Sequence, residues 1–236
     1  IEVEDGNETY ESLGGNVIIE RKTKALLLGC KNSTITDGVQ SLEAQAFNNC
    51  QIAKIQFPET VKSIGYNAFA SCRYLTEVTL PEGLDSIAEG AFRNCEKLEM
   101  VEFPKTTKYF GDEAFYGCNS LLNVVSNIEE PKDINESVFG YRNSTIYNQA
   151  TLWVPKGKVE TYKRVNGWIG FNSYDELLRD ILVKPTIEYN GRYLVMTNNP
   201  EQRAKIYYST DGTEPTILYS DTVALSNLGT IQAISK

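Results

Sequence analysis

Residues 61–80 read VKSIGYNAFASCRYLTEVTL and run into Pro81. Shifted copies lie on both sides: VQSLEAQAFNNC from Val39, LDSIAEGAFRNC from Leu84 and TKYFGDEAFYGC from Thr107. Each copy carries Ala-Phe-x-x-Cys. The phenylalanines Phe47, Phe69, Phe92 and Phe115 are 22, 23 and 23 residues apart, and Cys50, Cys72, Cys95 and Cys118 keep the same steps. An alternating apolar run follows each cysteine: Ile52, Ile55, Phe57; Leu75, Val78, Leu80; Leu98, Val101, Phe103; and a degraded Leu121, Val124, Ser126. One residue missing between Cys50 and Ile52 accounts for the shorter step. The first three runs end in Pro58, Pro81 and Pro104. Proline cannot donate to a β ladder, so the pattern predicts one short strand per repeat.

A unit of about 23 residues cannot bury its own apolar face, so the copies must stack around a shared interior. The expected architecture is a solenoid, α/β to mainly β. Its core is expected from the Ala, Phe and Cys of each turn, the apolar triplet after it, and the row Ile64, Ile87, Phe110. Thr107 and Ser126 break the apolar pattern, which predicts a less regular fourth repeat. At the N-terminal end, NVIIERKTKALLLGC (residues 16–30) predicts two strands around a charged turn, a cap. At the other end, TLWVPKGKVETYKRVNGWIGF (residues 151–171) predicts a last strand, a helix carrying Tyr162, and a Trp168/Phe171 pair over the end of the core. Residues 127–150 read as an insertion between the repeats and that last strand.

The spacing, the Ile-Gly-x-x-Ala-Phe-x-x-Cys-x-x-Leu-x-x-Val-x-Leu-Pro pattern and the preceding ALLLGCKNSTI resemble the BspA-type (Treponema-type) leucine-rich repeats of bacterial surface proteins, Bacteroidetes above all. The resemblance covers residues 16–182, and TLWVPKGKVETYKRVNGWIGF is similar to the segment that closes such arrays. It implies a non-catalytic leucine-rich-repeat solenoid, exported to the cell surface or secreted, with a role in binding and adhesion. The implied partners are proteins of the host extracellular matrix, such as fibronectin, or of neighbouring cells.

Beyond Lys184-Pro185 the period stops. Short β-like runs follow at residues 186–189, 193–197, 205–209, 222–225 and 230–234, separated by the turn signals Asn190-Gly191, Asn198-Asn199-Pro200 and Asp211-Gly212. These predict a small all-β, sandwich-like antiparallel domain. IYYSTDGTEPT from Ile206 resembles the chitobiase C-terminal or fibronectin-III-associated modules, which implies an accessory role and offers a second reading, a carbohydrate-associated protein that contacts glycan. The expected domains are 1–183, with a C-terminal cap at about 151–182, and 184–236.

Composition narrows the functional classes. With 23 Lys plus Arg against 31 Asp plus Glu, the net charge of −8 argues against nucleic acid as a partner. The absence of histidine removes the commonest general base and transition-metal ligand, and neither cofactor nor metal is expected. No stretch approaches the roughly 18 apolar residues of a transmembrane helix. The chain opens at Ile1 and runs into Glu2, Glu4 and Asp5, so a signal peptide or lipid-anchor segment is expected to have been removed or to lie outside this sequence.

Strand alternation places Lys54, Gln56, Glu77, Thr79, Met100, Glu102, Asn123 and Val125 side by side on the concave sheet, where solenoids usually bind partners. The repeated cysteines are too widely spaced for a zinc site. Buried free thiols are expected there, with disulfides between neighbouring coils as the alternative. Trp153, Tyr162, Trp168, Phe171 and Tyr174 fit a cap on the core, or else a sugar-stacking site. The acidic pairs Glu129-Glu130 and Asp175-Glu176 lack calcium-loop spacing and read as solvated charge.

Overall fold

A computed structural model describes residues 1–141 and 144–177, and beyond them the backbone of six strands. The chain divides into two compact units, Ile1–Glu176 and Leu177–Lys236.

The first unit is the solenoid. Strands β1 (Tyr10–Glu11), β2 (Ile18–Glu20) and β3 (Ala25–Leu28) form an antiparallel cap, with a register shift between Ile18 and Ile19. Four coils then each supply a two-residue strand and a longer one: β4 (Ser41–Leu42) and β5 (Lys54–Gln56), β6 (Ser63–Ile64) and β7 (Glu77–Thr79), β8 (Ser86–Ile87) and β9 (Met100–Phe103), β10 (Tyr109–Phe110) and β11 (Asn123–Ser126). The short strands extend β3 into one parallel sheet, where Leu42, Ile64, Ile87 and Phe110 fall in one register row. The longer strands stack separately, β5 on β7, and β9 on β11, then β12 (Thr151–Pro155) and β13 (Ser173–Leu177). Alternation decides their faces: Ile55, Val78 and Val101 are buried between exposed or half-buried neighbours in the first three of these strands, while in the fourth Val124 lies between the half-buried Asn123 and the buried Val125.

The Ala-Phe-x-x-Cys turns stack as well. Two residues in each turn take positive φ: Gln45, Asn67, Gly90 and Glu113 before the alanine, and Asn49, Ser71, Asn94 and Gly117 before the cysteine. This turns the backbone so that the N–H groups of Phe47, Phe69 and Phe92 reach the carbonyls of Ala68, Ala91 and Ala114 in the next coil at 2.7, 2.7 and 2.8 Å. Their rings and that of Phe115 stack nearly parallel, with centroids 4.9, 5.2 and 5.3 Å apart. All four are buried.

The column has a fifth ring. Phe115 donates to the Val138 carbonyl at 2.8 Å and stacks on Phe139 at 5.7 Å. Residues 127–150, expected as an insertion, therefore contain a further coil, in which Val138-Phe139 replaces Ala-Phe and no cysteine follows. After Phe139 the chain passes Gly140, at φ 100°, and enters α1 (Thr145–Gln149), whose first turn is capped by the Ser144 hydroxyl.

Both ends of the column are closed. A Cβ on Gly29 would lie 2.0 Å from Cε1 of Phe47, so the first ring rests on a residue that can only be glycine. On the last ring, Trp168 and Phe171 pack on Phe139 at 5.7 and 5.2 Å, and Tyr162, from α2 (Val159–Tyr162), packs edge-on to Trp168.

The polar departures from the repeat are also satisfied. Ser126 is buried 2.6 Å from the Tyr162 hydroxyl, which donates to the Ile128 carbonyl at 2.8 Å. Thr107 is buried and donates to the Leu84 carbonyl at 3.2 Å. The five cysteines are free. Cys72, Cys95 and Cys118 do more than fill space: their thiols donate to the carbonyls of Phe47, Phe69 and Phe92 in the preceding coil at 3.1, 3.2 and 3.1 Å. Burial pushes the Cys72 thiol far above its ordinary range.

The second unit contributes β14 (Thr186–Tyr189), β15 (Tyr193–Thr197), β16 (Ile206–Ser209), β17 (Ile217–Leu218), β18 (Val223–Ala224) and β19 (Gln232–Ser235). They form two three-stranded antiparallel sheets, β14-β15-β18 and β17-β16-β19. The expected turns at Asn190-Gly191, Asn198-Asn199-Pro200 and Asp211-Gly212 lie outside the described residues.

Candidate binding face

The outward positions of the longer strands form a grid. Register and repeat give one row of Lys54, Glu77, Met100, Asn123 and Thr151, and a second of Gln56, Thr79, Glu102, Val125 and Trp153. Backbone bonds from Thr76 to Ala53, Glu99 to Thr76 and Leu122 to Glu99, at 2.9, 3.4 and 3.0 Å, carry the grid across all four coils.

Lys54, Gln56, Glu77, Thr79 and Met100 are exposed, and Glu102 and Asn123 are half-buried. Val125, expected on the open face, is buried at 4% exposure. Trp153 sits opposite it in register and extends its indole to donate to Asn123 Oδ1 at 2.9 Å. The ring thus spans two positions along β11 on the outward side.

Chemistry changes along the grid. At the β5–β7 end Lys54 and Glu77 form a 2.7 Å ion pair, and the surface there is polar. Towards β9 and β11, Met100 is 44% exposed and Leu122 is 50% exposed. Leu122 is absent from the expected face because it precedes β11 and falls outside the alternating outward positions, as do its counterparts Ala53, Thr76 and Glu99 in earlier coils. Glu102 accepts from Asn127 Nδ2 at 2.9 Å beside this apolar spot. The set offers noncovalent contact of mixed character.

The other candidates fall elsewhere. Tyr162, Trp168 and Phe171 are buried in the cap, and the half-buried Tyr174 donates to the Trp168 carbonyl at 2.8 Å. Of the five aromatics that fit either a cap or a sugar-stacking site, Trp153 alone shares the outward grid. Glu129 and Glu130 both pair with Lys158, at 3.4 and 3.0 Å. Glu176 accepts from the Gly157 N–H at 3.0 Å.

Residues 25–146 match the model of the BspA type leucine rich repeat region in six copies, a span from β3 into α1 that takes in the fifth coil. The chain belongs to this family of leucine-rich-repeat proteins. Residues 194–235 match the Fn3 associated model. No curated protein matches. Among solved structures, the pneumococcal vaccine antigen PcpA is similar at 19% identity and a TM-score of 0.58, over 75% of this chain and 49% of that one. The Treponema pallidum leucine-rich-repeat protein is similar at 21% identity and a TM-score of 0.49, over 75% and 83% of the two chains. A leucine-rich cell surface protein of Faecalibacterium prausnitzii follows at 22% and 0.48, over 72% and 40%. The chain spans about half the length of PcpA, and the likeness at this identity is one of fold. Among the described residues no helix is long and apolar enough to cross a membrane.

Proposed function

We propose that this chain is a non-catalytic, exported binding module that attaches to proteins of a host matrix or of neighbouring cells through the outward grid of its longer strands. The observation that carries this reading is the exposure of two large apolar side chains, Met100 on β9 and Leu122 just before β11, in a neighbourhood that also holds Glu99 and Glu102. An apolar centre with a polar rim is the ordinary anatomy of a protein-binding surface. The scaffold supports it, because every strand of the grid is fixed by the column beneath. Membership of the BspA-type family fits the same role.

The test is binding of the whole chain to a panel of immobilised matrix proteins, fibronectin included, compared with Met100→Asp/Leu122→Asp. Both positions are exposed, so the variant keeps its fold. Saturable binding lost in the variant supports the reading. Failure of the whole chain across the panel, or binding that the variant retains, refutes it.

A second reading, a carbohydrate-associated accessory module, is favoured by the half-exposed Trp153 ring on the same grid and by the Fn3 associated match. Saccharide binding on a glycan array that Trp153→Ala abolishes would select it.

A further inference from the structure

The fourth and fifth coils meet along the longer strands and along the ring column, but they part along the short-strand sheet. β10 is the last strand of that sheet. In earlier coils the carbonyls at its equivalent positions are taken by the coil that follows: Gly65 donates to Leu42, Ala88 to Ile64 and Gly111 to Ile87, at 2.9, 2.9 and 2.8 Å. Among the described residues, no N–H reaches the Phe110 or Lys108 carbonyl. The fifth coil has committed its groups to the cap. The Ile134 N–H donates to Asn166 at 3.1 Å, the Trp168 indole takes the Lys132 carbonyl at 3.1 Å, and Tyr162 takes that of Ile128 at 2.8 Å.

What remains between the two coils is a cleft of about 320 Å³. Phe110, Ile128, Ile134 and Trp168 supply its apolar lining, and its charged lining is Lys105, Lys108 and Lys132 with Glu129 and Glu130. That volume lies at the lower end of the range of ligand pockets.

The repeat changes where the cleft opens. The approach to the short strand reads Pro58-Glu59-Thr60-Val61-Lys62-Ser63-Ile64 and then Pro81-Glu82-Gly83-Leu84-Asp85-Ser86-Ile87. At the cleft it reads Pro104-Lys105-Thr106-Thr107-Lys108-Tyr109-Phe110. A glutamate has become lysine, and the isoleucine has become a phenylalanine that stays partly exposed. The local charges do not cancel. Lys158 pairs with both Glu129 and Glu130, and Asp85 pairs with Lys108. The Lys105 and Lys132 ammonium groups have no ion-pair partner among the described residues, which leaves an excess of one positive charge at the cleft on an otherwise acidic chain.

The geometry points to a second binding site, independent of the outward grid: the cleft takes an extended peptide segment in which a bulky apolar residue is flanked by carboxylates. The segment adds to the edge of β10, donating its N–H groups to the Lys108 and Phe110 carbonyls. Its apolar side chain rests against the Phe110 and Trp168 rings, which already meet edge to face with centroids 5.6 Å apart, and its carboxylates meet Lys105 and Lys132. Edge addition gives main-chain affinity, while the pocket and the charges give selectivity.

The probe is a fluorescent, terminally blocked hexapeptide alternating Phe or Val with Asp, titrated into the whole chain by anisotropy. Three comparisons decide the matter: the same peptide with Lys for Asp, the same peptide N-methylated at alternate amides, and the chain carrying Lys105→Glu/Lys132→Glu. Both lysines are exposed, so the double variant folds, which an unchanged urea midpoint verifies. Saturable binding is expected to weaken about tenfold in each comparison and to fall with salt. No saturable binding at millimolar peptide, equal binding of the lysine peptide, or indifference to N-methylation or to the double variant would each overturn the proposal.

Discussion

Truncating Phe92 to alanine removes the ring at the middle of the column. Phe92 is fully buried and stacked on both sides, on Phe69 at 5.2 Å and on Phe115 at 5.3 Å. Buried Phe→Ala substitutions cost about 3 to 5 kcal/mol, and two stacked neighbours at about 0.5 to 1.5 kcal/mol per pair place Phe92 at the upper end, about 4 to 5 kcal/mol. That is a large share of a domain stability of about 5 to 15 kcal/mol. Phe47, which stacks on one ring and rests on Gly29, should lose less on truncation, by about one aromatic pair, roughly 1 kcal/mol. Phe92→Leu, which keeps most of the volume, should cost about 1 to 2 kcal/mol. Equilibrium urea unfolding read by far-ultraviolet circular dichroism measures all three, because both tryptophans lie near the C-terminal cap and report only that end. A loss below about 1.5 kcal/mol for Phe92→Ala would mean the rings are not a shared interior, since no buried, doubly stacked phenylalanine is that dispensable.

Gly29→Ala should destabilise by about 1 to 3 kcal/mol in the same assay, because the added methyl meets the Phe47 ring at 2.0 Å and the ring cannot yield without disturbing Phe69. Tyr162→Phe should cost about 1 to 3 kcal/mol in urea unfolding by removing the partner of the buried Ser126 hydroxyl and of the Ile128 carbonyl. Burial holds the Tyr174 hydroxyl at about 12 against an ordinary 10.0, so the unfolded chain ionises first as pH rises. Its contribution to stability is complete below pH 10.0 and is lost by about pH 12, and Tyr174→Phe should flatten that part of the urea midpoint's pH dependence. Native alkylation followed by mass spectrometry should modify Cys30 first, its thiol lowered by the hydrogen bond to Ser33, and leave Cys72, Cys95 and Cys118 untouched until denaturant is added. Native labelling of those three would deny the closed interior.

Most of the solenoid was legible because its signal repeats. Phe47 through Phe115, the triplets after each cysteine and the strands around Ile55, Val78 and Val101 reinforce one another, and a period needs no tertiary information to be seen. Phe139 escaped for the opposite reason. Its alanine is Val138, its cysteine is missing and its spacing is irregular, so only stacking on Phe115 identifies it. The positive-φ positions at Asn49, Asn67 and Asn94 were available as asparagine signals, but Gln45 and Glu113 take the same conformation because the stack imposes it. Of the candidate face, the rows of Lys54 to Asn123 followed from alternation alone. Burial of Val125 depends on a tryptophan 28 residues further along that β12 brings into register. Leu122 was missed because it breaks the strand pattern, and the cleft because it arises from a bond that is absent rather than a residue that is present.

The binding claim is tested most directly by placing a photo-crosslinking amino acid at Thr79, on the outward grid, or at Ser63, on the short-strand sheet, and irradiating the whole chain with the matrix protein that the panel selects. Crosslinks from position 79 and none from 63 are the predicted result. Crosslinks from 63, or equal yield from both, would contradict the assignment of the grid as the surface that binds.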